Sequence, residues 1–368
     1  MRGAALMPPL TVLIKPASGR CNMRCRYCFY VDEMQNRDAG VRPNMTAADA
    51  DTLVRRAFLY AEGFVSFMFQ GGEPTLAGLP YFEAFAQSVR RYNTRGLEVR
   101  YALQTNGYDI SDELIAFFKQ HNFLLGVSMD GDQALHDALR PDAHGQGTHA
   151  RVQNTMKRLQ KAGVDANILC VVSQPVAEQP DRVWDALAPY QYLQFIACLD
   201  GLNGETGPWS VSSEAFLTFL RGTFRRYVQA IDRGQYVSVR WYDNWVRMLR
   251  GFAPDTCSMQ GRCVCGFTVE SDLSTYPCDF YALDEWKLGS LKTESFVRLV
   301  KSQTAQQFIQ ASLPVPDACR ACEWYALCRN GCRRERVQGL HRFCQAYQMF
   351  FPEAMPELQR IARMQKIT

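Results

Sequence analysis

The chain is short of histidine. Its 368 residues hold five, His121, His136, His144, His149 and His341, and none lies beside the first cysteines. A local zinc site of three cysteines and one histidine is therefore disfavoured. No apolar run reaches the roughly 20 residues of a membrane helix, so no membrane is expected and the cytoplasm is the expected location. A charge excess is also missing: Lys and Arg total 41, Asp and Glu 37, and the net charge is +4. Dispersed charges of that balance argue against a nucleic-acid partner. The opening MRGAALMPPLTVLIK fails as a signal peptide, because Pro8 and Pro9 break its apolar stretch. It reads as a short extension before a first strand, with Met7 as an alternative start, and no peptide-binding extension is evident ahead of that strand.

What the chain has in excess is cysteine, 14 residues. A disulfide scaffold is an unneeded device in a chain long enough to bury its own core. The cysteines also fall in two clusters, which favours metal ligation.

Up to residue 199 the text alternates short apolar runs with helical stretches. The runs lie at 11–14, 65–70, 97–104, 123–129, 165–172 and 192–197. Thr46 with Asp49, Ser111 and Thr148 are expected helix caps, and Gly163 an expected helix stop. Strand then helix, repeated six times, predicts an α/β fold with a parallel sheet. Polar or glycine-rich text follows five strands: CNMRCRYC, QGGEPT, QTNG, SMDG and CLDG. Loops at the carboxyl ends of parallel strands share one rim, so one common site is expected. A helix over 212–233 follows. The composition changes near Gly234, which predicts units at 1–234 and 235–345 and a terminal piece at 346–368 whose helix covers 352–366.

Cys21, Cys25 and Cys28 are spaced C-x3-C-x2-C with no fourth cysteine. Haem attachment fails, because Phe29 and not histidine follows Cys28. Zinc with a distant fourth ligand stays open. A cubane whose fourth iron is left free is the other reading, and its vacancy would be a binding site for a small molecule.

This loop, with Tyr27 between its last two cysteines, resembles the signature of the radical S-adenosylmethionine (SAM) superfamily. The resemblance implies a partial (β/α)6 TIM-like barrel, a [4Fe-4S] cluster on Cys21, Cys25 and Cys28, and SAM on the open iron. It implies SAM contacts from Tyr27, Gly71, Gly72 and Glu73 of GGEP, from Ser128 and Arg140, and from the Leu199 backbone. Glycines there would let carbonyls approach the SAM amine. Arg140 read alone would be a surface charge.

Nine cysteines fall between Cys257 and Cys344. A zinc ribbon would use four and leave the others idle. The pattern resembles a SPASM domain with two auxiliary [4Fe-4S] clusters, three in all with the first. By that resemblance Cys257, Cys263, Cys278 and Cys332 hold one and Cys319, Cys322, Cys328 and Cys344 the other. Cys170, Cys198 and Cys265 are left over, with Cys265 a rival to Cys263. Where the family has glycine, this chain has Leu273, so the turn there is expected to be remodelled.

LIKPASGRCN, FQGGEPTLAG, NILCVV, YPCDFYALDEWKLG and CRNGCRR extend the resemblance to anaerobic sulfatase-maturating enzymes. It implies oxidation of a Cys or Ser side chain in an unfolded or nascent sulfatase to Cα-formylglycine, with Asp279 as general base. A flavodoxin or ferredoxin would supply electrons to a monomeric enzyme. Tyr30, Gln70, Gln104 and Asn106 sit on strand-end loops as candidate substrate contacts, against core packing for Tyr30 and a plain turn for Asn106. The alternatives are a maturase of ribosomally made peptides, which shares the cluster motifs, and an iron–sulfur electron carrier.

Overall fold

The computed structural model describes residues 8–364. The readings of residues 1–7 and of Lys366 fall outside them. Six parallel strands follow one another in chain order: β1 (Leu10–Lys15), β2 (Phe64–Phe69), β3 (Glu98–Thr105), β4 (Phe123–Ser128), β5 (Asp165–Val172) and β6 (Tyr192–Ala197). Each predicted run became a strand. In β2 every second residue is buried, as the period of a pleated strand requires. Val12, Ile14, Val65, Phe67 and Phe69 are buried, and Phe67 and Phe69 meet Phe85 and Phe82 of the helix that covers the outside, as in a partial barrel.

The sheet runs on at both edges. β7 (Ser238–Val239) pairs with β6. β8 (Phe267–Glu270) pairs in parallel with β1, and β9 (Ser274–Tyr276) and β10 (Gly289–Ser290) follow antiparallel. The cysteine-rich region is thus stitched to the first strand.

Thr46 caps its helix as expected, accepting from Asp49 N and donating to Asp49 Oδ2. Ser111 accepts from Leu114 N, and Gly163 ends its helix at φ +68°. Thr148 does not cap with its side chain. Its hydroxyl donates to the Arg140 carbonyl, and Asp137 Oδ1 accepts from Thr148 N and His149 N in its place. The terminal helix begins earlier than the sequence suggested, at Cys344, and carries Pro352 and Pro356 inside it. Burial of Phe350, Phe351, Ala354 and Leu358 holds it through those prolines.

At Leu273 the turn has a left-handed backbone, φ +68°, with leucine in it. The side chain is fully buried, so packing offsets the strain.

Candidate active site

The cysteine loop is wedged between two neighbours. On one side Gly72 N donates to Ser18 O at 2.9 Å and Glu73 N to Arg20 O at 2.7 Å. A Cβ on Gly72 would stand 2.1 Å from Arg20 O, and one on Gly71, at φ +128°, 2.8 Å from Ser18 O. The glycines are thus needed first for packing one loop on the other. On the far side Arg24 N donates to Pro141 O and Arg26 N to Leu139 O. This zipper sets Arg140 against the loop. Its Nη1 donates to Tyr27 OH at 2.7 Å, and Tyr27 OH donates to Asp130 Oδ2. Burial pulls the Arg140 pKa down, but Cys25, Tyr27 and Asp130 outweigh it and the group stays charged.

A cavity of about 440 Å³ opens over the loop. Cys21, Cys25, Tyr27, Cys28, Gly71 and Gly72 line it, as do Ser128, Arg140 and Leu199. So do Tyr30, Gln70, Gln104, Asn106 and Asp279, and Cys257, Cys328 and Cys332 from the C-terminal region. Glu73 stands behind the wall. Its carboxylate accepts from Thr75 N, Thr75 Oγ1, Thr105 Oγ1 and Asn106 N, tying the glycine loop to β3. Asn106 is also occupied: its Nδ2 donates to Asn22 Oδ1 at 2.8 Å and reaches Cys21 Sγ at 3.5 Å.

Two candidate substrate contacts, Tyr30 and Gln70, meet the candidate base Asp279 here. Tyr30 OH donates to Asp279 Oδ2 at 2.7 Å, and Gln70 Nε2 donates to the same oxygen at 2.9 Å and to Tyr30 OH at 2.7 Å. Lys15 Nζ stands 3.0 Å from Asp279 Oδ1, 3.3 Å from Glu33 Oε2 and 3.9 Å from Glu270 Oε1. Register makes the last contact, since Lys15 of β1 lies opposite Glu270 of β8. Burial would push the Lys15 ammonium down, but Asp279, Glu33 and Glu270 outweigh it and keep it protonated. Burial lifts Glu33 to about 7 against the pull of Lys15. It would lift Glu270 too, but Lys15 and Arg37 hold that carboxyl below its usual range. Arg37 Nη1 donates to Glu270 Oε1 at 2.7 Å. Sequence reading missed Lys15, Glu33, Glu270 and Arg37. The available signal was a charge closing each of two apolar strands, LTVLIK and FTVE.

The thiols form three spatial sets. Cys25 feels Cys28 and Cys21. Cys332 feels Cys263 and Cys257, and Cys278 feels Cys332 and Cys257. Cys328 feels Cys344, Cys319 and Cys322. Burial pushes Cys25, Cys328 and Cys332 each up to about 12, so a metal must displace their protons. Burial alone raises Cys265. Among the described residues no three Cys, His, Asp or Glu side chains converge on one metal ion. A cubane gives each thiolate its own iron, so its ligands stand further apart than those of a single ion. Three- and four-thiol sets fit clusters and do not fit a mononuclear zinc site.

Residues 16–177 match the Radical SAM superfamily, and residues 257–323 match SPASM, an iron-sulfur cluster-binding domain. The cysteine-type anaerobic sulfatase-maturating enzyme of Clostridium novyi (strain NT) is 39% identical over 367 residues, 97% of this chain and 98% of that one. The chain belongs to the anaerobic sulfatase-maturating enzymes. A solved structure of that family, native anSMEcpe with bound AdoMet and Cp18Cys peptide, superposes with a TM-score of 0.92 at 37% identity, covering 97% of this chain and 99% of that one. The serine-type anaerobic sulfatase-maturating enzyme of Klebsiella aerogenes is 28% identical over 96% of this chain and 87% of its own. Among the described residues no helix is long and apolar enough to cross a membrane.

Proposed function

We propose that this protein oxidises a cysteine side chain in a sulfatase polypeptide to Cα-formylglycine. Cysteine is preferred to serine because the cysteine-type relative is the more similar, 39% against 28%. One observation carries the reading: a fixed, paired carboxylate, Asp279, shares a cavity with a three-cysteine loop. Cys21, Cys25 and Cys28 would hold the first [4Fe-4S] cluster. Cys257, Cys263, Cys278 and Cys332 would hold one auxiliary cluster, and Cys319, Cys322, Cys328 and Cys344 the other. Tyr27, Gly71, Gly72, Ser128, Arg140 and Leu199 would surround SAM, with Glu73 bracing the glycine loop. When bound, SAM supplies the 5′-deoxyadenosyl radical that removes a hydrogen atom from the substrate Cβ.

The rest is the work of the chain. Asp279 takes the thiol proton. With one electron also lost, which an auxiliary iron–sulfur cluster would accept, the side chain becomes a thioaldehyde, which water converts to the aldehyde and hydrogen sulfide. Lys15 fixes Asp279 at Oδ1, and Tyr30 and Gln70 hold Oδ2. A base already oriented needs no reorganisation when the proton moves. Gln104 on β3 lines the cavity and would contact the peptide there. Asn106 braces the cysteine loop.

In this reading residues 1–234 are the SAM unit, 235–345 the auxiliary-cluster unit and 346–368 a terminal piece. The enzyme works as a cytoplasmic monomer reduced by a flavodoxin or ferredoxin. The test is incubation of the reduced, anaerobic protein with cysteine- and serine-containing sulfatase peptides. The cysteine peptide is expected to lose sulfur and gain an aldehyde. An aldehyde in neither peptide refutes the proposal.

A further inference from the structure

The turn after β6 is gripped from the cysteine-rich region by two arginines. Arg342 donates from Nη1 to Asp200 Oδ2 at 2.9 Å and from Nη2 to the Cys198 carbonyl. Arg334 donates from Nη2 to the Asp200 carbonyl at 2.6 Å. These contacts fall on both sides of Leu199, a wall of the cavity. The arginines are themselves held. Arg342 N donates to Glu335 O at 2.9 Å, and its guanidinium lies 4.3 Å from the Phe343 ring centre. Phe343 stacks on Phe216 with centroids 3.9 Å apart. Arg342 is 9% exposed and Asp200 16%, so the bonds are shielded from water, where charge-assisted bonds are strongest. Arg334 stands two residues after Cys332, and Arg342 two before Cys344. One cysteine of each auxiliary set therefore anchors each arm of the grip.

We propose that Arg334 and Arg342 are positioning residues for the adenosyl end of the SAM site. They fix the turn at residues 198–201, so affinity for SAM depends on the segment between Cys332 and Cys344. This rests on the reading that SAM binds over the cysteine loop with the Leu199 main chain against its adenine. A segment that must order on binding weakens the complex, and one fixed beforehand does not.

The test measures the SAM dissociation constant of the reconstituted holoenzyme by equilibrium dialysis, together with its iron content. Arg342→Met is expected to bind SAM roughly tenfold more weakly, the scale of a lost hydrogen bond to a charged group. Iron stays at about twelve per chain, from three cubanes, and the peptide KM is unchanged. Arg342→Lys recovers part of the loss, because an ammonium keeps the charge but cannot serve both acceptors with a fork. Unchanged SAM affinity in Arg342→Met overturns the proposal, and so does weaker binding that comes with lost iron. If Arg342→Met does not fold, Asp200→Asn carries the measurement: weaker SAM binding at full iron is expected, and unchanged affinity overturns the proposal. A wild type that binds no SAM would overturn the underlying reading instead.

Discussion

The two flanks of β1 are built by different means. Toward β2 the sheet is a run of long parallel strands around Val12, Phe67 and Phe69, with helices of up to 20 residues outside. Toward β8 the elements shrink to strands of two to four residues and helices of three to eight, with eight clustered thiols spread among them. Apolar burial is enough to fold the first flank. The second has little regular structure to fold on, and its thiols must give up protons to bind metal. One flank is a metal-independent scaffold, and the other takes its shape from its cofactors.

Removing iron should split the two. Chelation is expected to cost residues 257–344 stability on the order of 10 kcal/mol, the scale of structural metal sites. Hydrogen exchange checks it: β1 to β6 keep their protection and the cysteine-rich segment loses it. Uniform loss would break the comparison.

The seam between the flanks comes next. Lys15→Met leaves Glu33, Glu270 and Asp279 facing one another with one cation fewer, a loss of about 3–5 kcal/mol for a broken buried ion pair. Denaturant unfolding of the holoenzyme measures it.

The barrel flank carries an acid weakness of its own. Burial, Arg140 and His149 hold buried His136 down to about 2. Its Nδ1 accepts from Asp130 N and its Nε2 meets Thr148 Oγ1, so the ring is neutral. The folded pKa lies below the unfolded value near 6.5, so stability is full above that pH and falls as pH drops. The slope is at most about 1.4 kcal/mol per pH unit. Melting temperatures from pH 7 to pH 5 should fall less steeply in His136→Gln.

The smallest effect lies in the cluster flank. At Leu273, φ +68° favours glycine. Leu273→Gly should therefore be more stable than Leu273→Ala by about 1 kcal/mol, the reverse of the order in helices and strands. Paired melts of the two variants decide it.

The barrel was legible because its strands are apolar runs with glycine-rich ends, and a two-residue period survives without knowledge of neighbours. The two interleaved sets of later cysteines came from the family resemblance, because spacing alone does not sort interleaved ligands. The terminal helix was misjudged at its start because Cys344 and two prolines hide a buried face that only packing reveals. Lys15 was invisible for a related reason. A lysine closing a strand reads as a rim residue reaching for water, and only β8, from a distant part of the chain, turns it into a buried cation beside Asp279. The short elements between Cys257 and Cys344 have too few residues to show any period.

The central claim is that Asp279 serves the step after SAM cleavage and not the cleavage itself. The direct measurement follows 5′-deoxyadenosine and peptide aldehyde together in Asp279→Asn. The expected result is continued release of 5′-deoxyadenosine with aldehyde lower by roughly 10²–10⁴, the usual contribution of a general base. Aldehyde formed at the wild-type rate would contradict the account.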